Sequence, residues 1–91
     1  MNVYLFNYDD LCGDERDVLA FIDKQEAITN WAAYLPSSVF LVSRLGLERL
    51  TELFSRRFKR GLFVLVEVQE ANGMLPLEAW DVLNGRKRLP E

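Results

Sequence analysis

The residues able to do chemistry fall into two short stretches. Asp9, Asp10, Cys12 and Asp14 follow an apolar run near the N-terminus, and Arg56-Arg57-Phe58-Lys59-Arg60 lies past the middle of the chain. Histidine is absent from all 91 residues. That excludes Ser-His-Asp and Cys-His nucleophilic sites, histidine general bases and histidine-ligated metals. Catalysis would have to run on carboxylates, lysine, tyrosine or a carboxylate-bound metal. Cys12 sits among three aspartates, whose negative charge raises a thiol's pKa, so it reads as a structural residue and a poor nucleophile. Asp9 and Asp10 suit an Asx-type turn leading into a helix. The basic stretch has two readings. Cations in the last turn of a helix complement its negative end. Bases interleaved with an aromatic also suit phosphates of a single strand, through Arg56, Arg57, Lys59 and Arg60.

The rest of the chain must position these groups. Asn2–Tyr8 alternates in aromatic and branched residues and predicts a strand. Asp14 with Asp17 resembles a capping box, which places a helix over Glu15–Ile28 with Val18, Leu19, Phe21 and Ile22 inward and Asn30 as its stop. Two short strands, Trp31–Leu35 and Val39–Ser43, flank the turn Pro36-Ser37-Ser38. Gly46 or Ser43 caps a second helix ending near Phe58, with Leu47, Leu50, Leu53, Phe54 and Phe58 on one stripe. Leu62–Val68 predicts the last strand. Asn72-Gly73 marks a turn, Pro76 a first helical turn, and Leu77–Leu83 a short C-terminal helix stopped by Gly85. The expected fold is α+β: a ferredoxin-like β-α-β-β-α-β domain over residues 1–85 with an antiparallel sheet, then a polar tail, 86–91. Trp31 and Trp80 read as packing residues.

Composition narrows the setting. The net charge is −3, unevenly spread, with seven acids against two bases in residues 1–30 and six bases against two acids in residues 31–61. The lone cysteine cannot form an internal disulfide. No basic leader precedes Val3-Tyr4-Leu5-Phe6, and no apolar run nears the roughly 20 residues that span a bilayer. A cytoplasmic protein with no membrane contact is expected.

The strands are apolar on both faces. The first sets Val3 and Leu5 against Tyr4, Phe6 and Tyr8. The last sets Leu62, Val64, Val66 and Val68 against Phe63 and Leu65, and the third sets Val39 and Leu41 against Phe40 and Val42. Two helices cover only one face, and a monomer rarely leaves the other so apolar in water. Either the C-terminal segment with Leu75, Trp80 and Leu83 folds over it, or a second copy does. A homodimer is the favoured expectation. Tyr4, Phe6, Tyr8, Phe63 and Leu65 are assigned to its interface, although the pattern alone does not distinguish the two faces.

Several of these stretches resemble a known group. Val3-Tyr4-Leu5-Phe6-Asn7-Tyr8-Asp9 is similar to the first strand of the small ferredoxin-like CRISPR adaptation subunit, which carries an aspartate just after a tyrosine at the strand's end. Closer is the SinR-like group of bacterial proteins related to it. That resemblance runs through Trp31–Leu35, Pro36–Ser43, Leu62–Glu67 and Gly73–Trp80, with Leu75-Pro76-Leu77-Glu78-Ala79-Trp80 the most distinctive block. It implies a ferredoxin-like homodimer. Members of the adaptation family have been described both as metal-dependent nucleases and as scaffolds. The resemblance therefore implies, as one alternative, that Asp9 is catalytic and, with Asp10, holds Mg or Mn across a dimer axis, acting on RNA or DNA phosphodiesters. The other is a non-catalytic, cofactor-free scaffold that holds a protein partner. The acidic composition and the lack of a basic stripe beside Asp9 favour the second.

Overall fold

The computed structural model describes residues 1–70 and 72–74. The expected helix over 77–83, the tail 86–91, Leu75, Trp80 and Leu83 lie outside them. The described chain is α+β. Four strands, β1 (Asn2–Tyr8), β2 (Ile28–Leu35), β3 (Ser38–Ser43) and β4 (Phe63–Glu67), are joined by α1 (Glu15–Asp23) and α2 (Leu47–Arg57), with a 3-10 turn at Asp10–Cys12. The sheet order is β2-β3-β1-β4 and every pairing is antiparallel. Each helix therefore carries the chain past one intervening strand, a pattern compatible with the ferredoxin-like arrangement.

α1 begins where its acids predict, with Glu15 and Asp17 in the first turn. Asp14 occupies the N-cap position, but its side chain makes no capping hydrogen bond, so the expected capping box does not form. The helix ends at Asp23, five residues before the expected Ile28. Gln25 closes it by donating from Nε2 to Phe21 O at 3.0 Å. The β-branched Ile28 and Thr29 then enter β2, as their stiff side chains favour. Asn30 is no helix stop. It lies within β2 at a register shift, and its Oδ1 accepts from the N–H of Trp31 at 2.9 Å.

α2 starts after Gly46 and ends at Phe58, with Arg56 and Arg57 in the last turn where cations complement the dipole. Ser43 stays in β3 and is fully buried. Its hydroxyl donates to Ala27 O at 2.9 Å and accepts from Leu45 N at 3.1 Å, which satisfies a polar group that burial would otherwise penalise.

The core lies between the helices and one face of the sheet. Tyr4, Phe6, Val39 and Leu41 from the strands meet Val18, Ile22, Leu50 and Phe54 from the helices, and all eight are inaccessible to solvent. Phe6 is the hub. Its ring stacks on Tyr8 at 5.2 Å and Phe58 at 5.7 Å and meets Phe54 edge-on at 4.7 Å. Such pairs add about 0.5–1.5 kcal/mol each beyond area burial.

This placement corrects the expected interface. Tyr4, Phe6 and Leu65 belong to the core, with Tyr8 and Phe63 packed against it. These five side chains point to the side of the sheet on which α1 and α2 lie, where Phe6 and Phe63 meet Phe54 and Phe58 of the second helix and its cap. Among the described residues, no helix lies on the opposite face, which bears Val3, Leu5, Phe40, Val42, Val64 and Val66.

Candidate functional site

Asp9 lies where β1 ends, at the N-cap of the 3-10 turn. Its Oδ1 accepts from Leu11 N and from Leu62 N, each at 3.1 Å. Its backbone N–H donates to Leu62 O at 3.0 Å, and its carbonyl accepts from Cys12 N at 3.1 Å. One carboxylate thus fastens the end of β1 and the turn to the start of β4. Asp10 is exposed in the following turn. Both line an open depression with Tyr8, Asp14 and Ser37. Among the described residues, no group of three or more Asp, Glu, Cys or His is placed to hold a metal ion.

Cys12 is buried behind this junction, its thiol 3.6 Å from Leu62 O. Burial pushes the thiol above its ordinary value of 9.0. The Asp9 backbone hydrogen bond opposes that rise, and the Asp9 charge adds to it. The inert thiol expected from the sequence thus has burial as its main cause, ahead of the neighbouring charge. Gly61 packs directly on it: a Cβ there would fall 2.2 Å from Cys12 Sγ and 2.6 Å from Cys12 N. Because a backbone nitrogen is among the clashing atoms, only glycine fits this approach without a shift.

The basic stretch follows α2. Arg56, Arg57, Lys59 and Arg60 are exposed. Phe58 between them is only 4% exposed and belongs to the core, so no ring is free there to stack on a base. The Arg57 guanidinium lies 5.3 Å from the Phe58 ring centroid and 5.9 Å from that of Phe21. The aromatic in this stretch serves the interior and holds one arginine, which removes half of the motif that suggested single-strand binding. Trp31 packs against the core and donates from Nε1 to Asp23 at 3.1 Å, in keeping with a packing role.

The sheet face that no described helix covers is a feature the sequence left unresolved. Cross-strand registers line up Ala32, Phe40, Leu5 and Val66 in one row, and Asn30, Val42 and Val3 in the next. Ala32 and Val42 form a small cluster with Val3 and Phe40 against them. Toward the turn end the face becomes polar, where Ser38 donates to Asn7. Toward β4 it opens to solvent: Val64 is 51% and Val66 47% exposed, and Leu62 just before them is 77% exposed. Strand alternation carried this signal, but only the helix positions say which side stays open.

Among the described residues, no helix is long and apolar enough to cross a membrane. Compared with protein-family models, curated proteins and solved structures, the chain matches none.

Proposed function

We propose that this chain is a ferredoxin-like, non-catalytic module that works as a homodimer and holds a protein partner in the cytoplasm, in the manner of the CRISPR-adaptation-like group its motifs resemble. One observation carries the reading: no described helix lies on the apolar sheet side bearing Val3, Leu5, Phe40, Val64 and Val66. While Ala32 and Val42 on it are buried, its β4 end is open, with Val64 51% and Val66 47% exposed. A contiguous apolar surface of this kind marks an interaction site more often than chance exposure. In this reading a second copy sits at the β4 end of that side, where Leu62, Val64 and Val66 are most exposed, and the joined sides hold the protein partner. Asp9 supports the same conclusion from the chemical side. Its Oδ1 is committed to two backbone N–H groups, which is the work of a turn-forming residue.

Two measurements test the reading. Light scattering on the eluting protein is expected to give twice the chain mass of 10.6 kDa. Incubation with labelled RNA and DNA in magnesium or manganese is expected to leave both intact. Metal-dependent cleavage that disappears in Asp9→Asn would replace the scaffold reading with the nuclease one.

A further inference from the structure

The two edges of the sheet are built differently. β2 is broken by register shifts between Ile28 and Asn30 and between Ala32 and Leu35. Such irregularities are a common means of keeping an edge from pairing with another chain. β4 has none. Its five residues run in unbroken register with β1, contain no proline, and carry one charge, Glu67, at the last position. Val68 N donates to Val3 O and Leu62 O accepts from Asp9 N, so the backbone groups of these two residues face β1. Alternation along an antiparallel ladder then turns the N–H and C=O of Phe63, Leu65 and Glu67 outward. No described strand lies beyond them.

Charge gives this edge a direction. Lys59 and Arg60 precede the strand, while Glu67 and Glu70 end and follow it. A second β4 laid antiparallel brings the basic start of each copy toward the acidic end of the other. The strand is thus complementary to itself, which a foreign peptide would match only by coincidence.

We propose that β4 pairs antiparallel with β4 of a second copy about a two-fold axis at Leu65, joining the two sheets edge to edge. Leu65 then faces its own counterpart, and Phe63 faces Glu67 of the other copy, so all the outward backbone groups are used. On the open face Val64 lies opposite Val66, and Leu62 opposite Val68. These are non-hydrogen-bonded pairs, where side chains approach most closely. The rows containing Leu5, Phe40 and Val66 continue across the axis, and two half-exposed faces become one apolar surface for a partner. This inference rests on the homodimeric reading and adds its geometry.

Site-directed crosslinking tests it on the full chain. Val64→Cys and Val66→Cys are made separately, and each is treated with the thiol oxidant diamide alone and as an equal mixture. Both sites are exposed, so folding is retained, and wild type with its buried Cys12 serves as the uncrosslinked control. The mixture is expected to give a disulfide-linked dimer and the single variants none, because identical positions lie diagonally, roughly 7–8 Å apart and beyond disulfide reach. A dimer by light scattering that fails to crosslink in the mixture, or crosslinks within one variant, overturns the register and leaves the homodimer standing. Wild type at single-chain mass removes both. Amide exchange gives an independent readout: the Leu65 N–H is expected to be protected at high concentration and to lose that protection on dilution. Protection independent of concentration would mean that the chain covers its own edge, which also overturns the proposal.

Discussion

Tyr4 and Phe6 are sealed from solvent, whereas Val3 and Leu5, their immediate neighbours on the same strand, are not. The two sides of β1 are equally apolar in sequence. What separates them, among the described residues, is a layer of helix: α1 with nine residues and α2 with eleven cover one side only. Hydrophobicity along a strand therefore says how much surface needs burying, but not what buries it. One side is a finished interior, and the other is exposed at its β4 end.

The contrast breaks first, and hardest, on the covered side. Phe54→Ala removes a ring that touches Phe6, Phe21 and Phe58, and is expected to cost about 3–5 kcal/mol of unfolding free energy in a denaturant titration. Val66→Ala, on the open side, is expected to cost a small fraction of that in the monomer. Equal losses would mean that the open side is as well packed as the core.

Gly61→Ala tests the junction that anchors β4. Its Cβ meets backbone atoms of Cys12, so a loss of about 1–3 kcal/mol is expected, as for an overpacked core. Asp9→Ala removes the acceptor for Leu11 N and Leu62 N and should cost about 1 kcal/mol, while Asp9→Asn, which keeps a carbonyl oxygen, should cost less. Chemical denaturation of the two variants side by side measures the difference.

The smallest effect is one of pH. Burial raises the Cys12 thiol, and it is also the leading cause of the raised phenols of Tyr4 and Tyr8. For each, the stabilising contribution is complete below the unfolded-state value and is lost as pH climbs through the folded one. Stability should therefore decline above about pH 9 for the thiol and about pH 10 for the phenols. Tyr4 also donates to Leu45 O at 2.8 Å, so Tyr4→Phe should flatten the alkaline arm of a melting-temperature profile.

Much of the architecture was legible because its signals are local. Asn2–Tyr8 was readable from alternation, and the Leu50–Phe54–Phe58 stripe from helical spacing. The misreadings came where distant partners decide. Asn30 has the composition of a helix stop, yet its side chain bonds the next N–H inside a bulged strand. Phe58 amid four cations resembles a stacking platform, but the core claims it. Asp14 has the right spacing for a capping box and makes no capping bond. The choice of sheet face was illegible for the same reason, since both sides of each strand offer similar residues and only the path of the two helices distinguishes them. The candidate site was readable in part: Asp9 was singled out, but its bond to Leu62, far along the chain, was not.

The claim that a second copy joins the open side at β4 is tested most directly by sedimentation velocity on wild type beside the double variant Val64→Lys/Val66→Lys. In the proposed register the two substitutions place like charges opposite one another, while in a lone chain both positions lie in water and should cost little. The account predicts a two-chain species for wild type and a folded single-chain species for the variant. Wild type sedimenting as a single chain at the highest concentration reached, or a variant that stays paired, would contradict it.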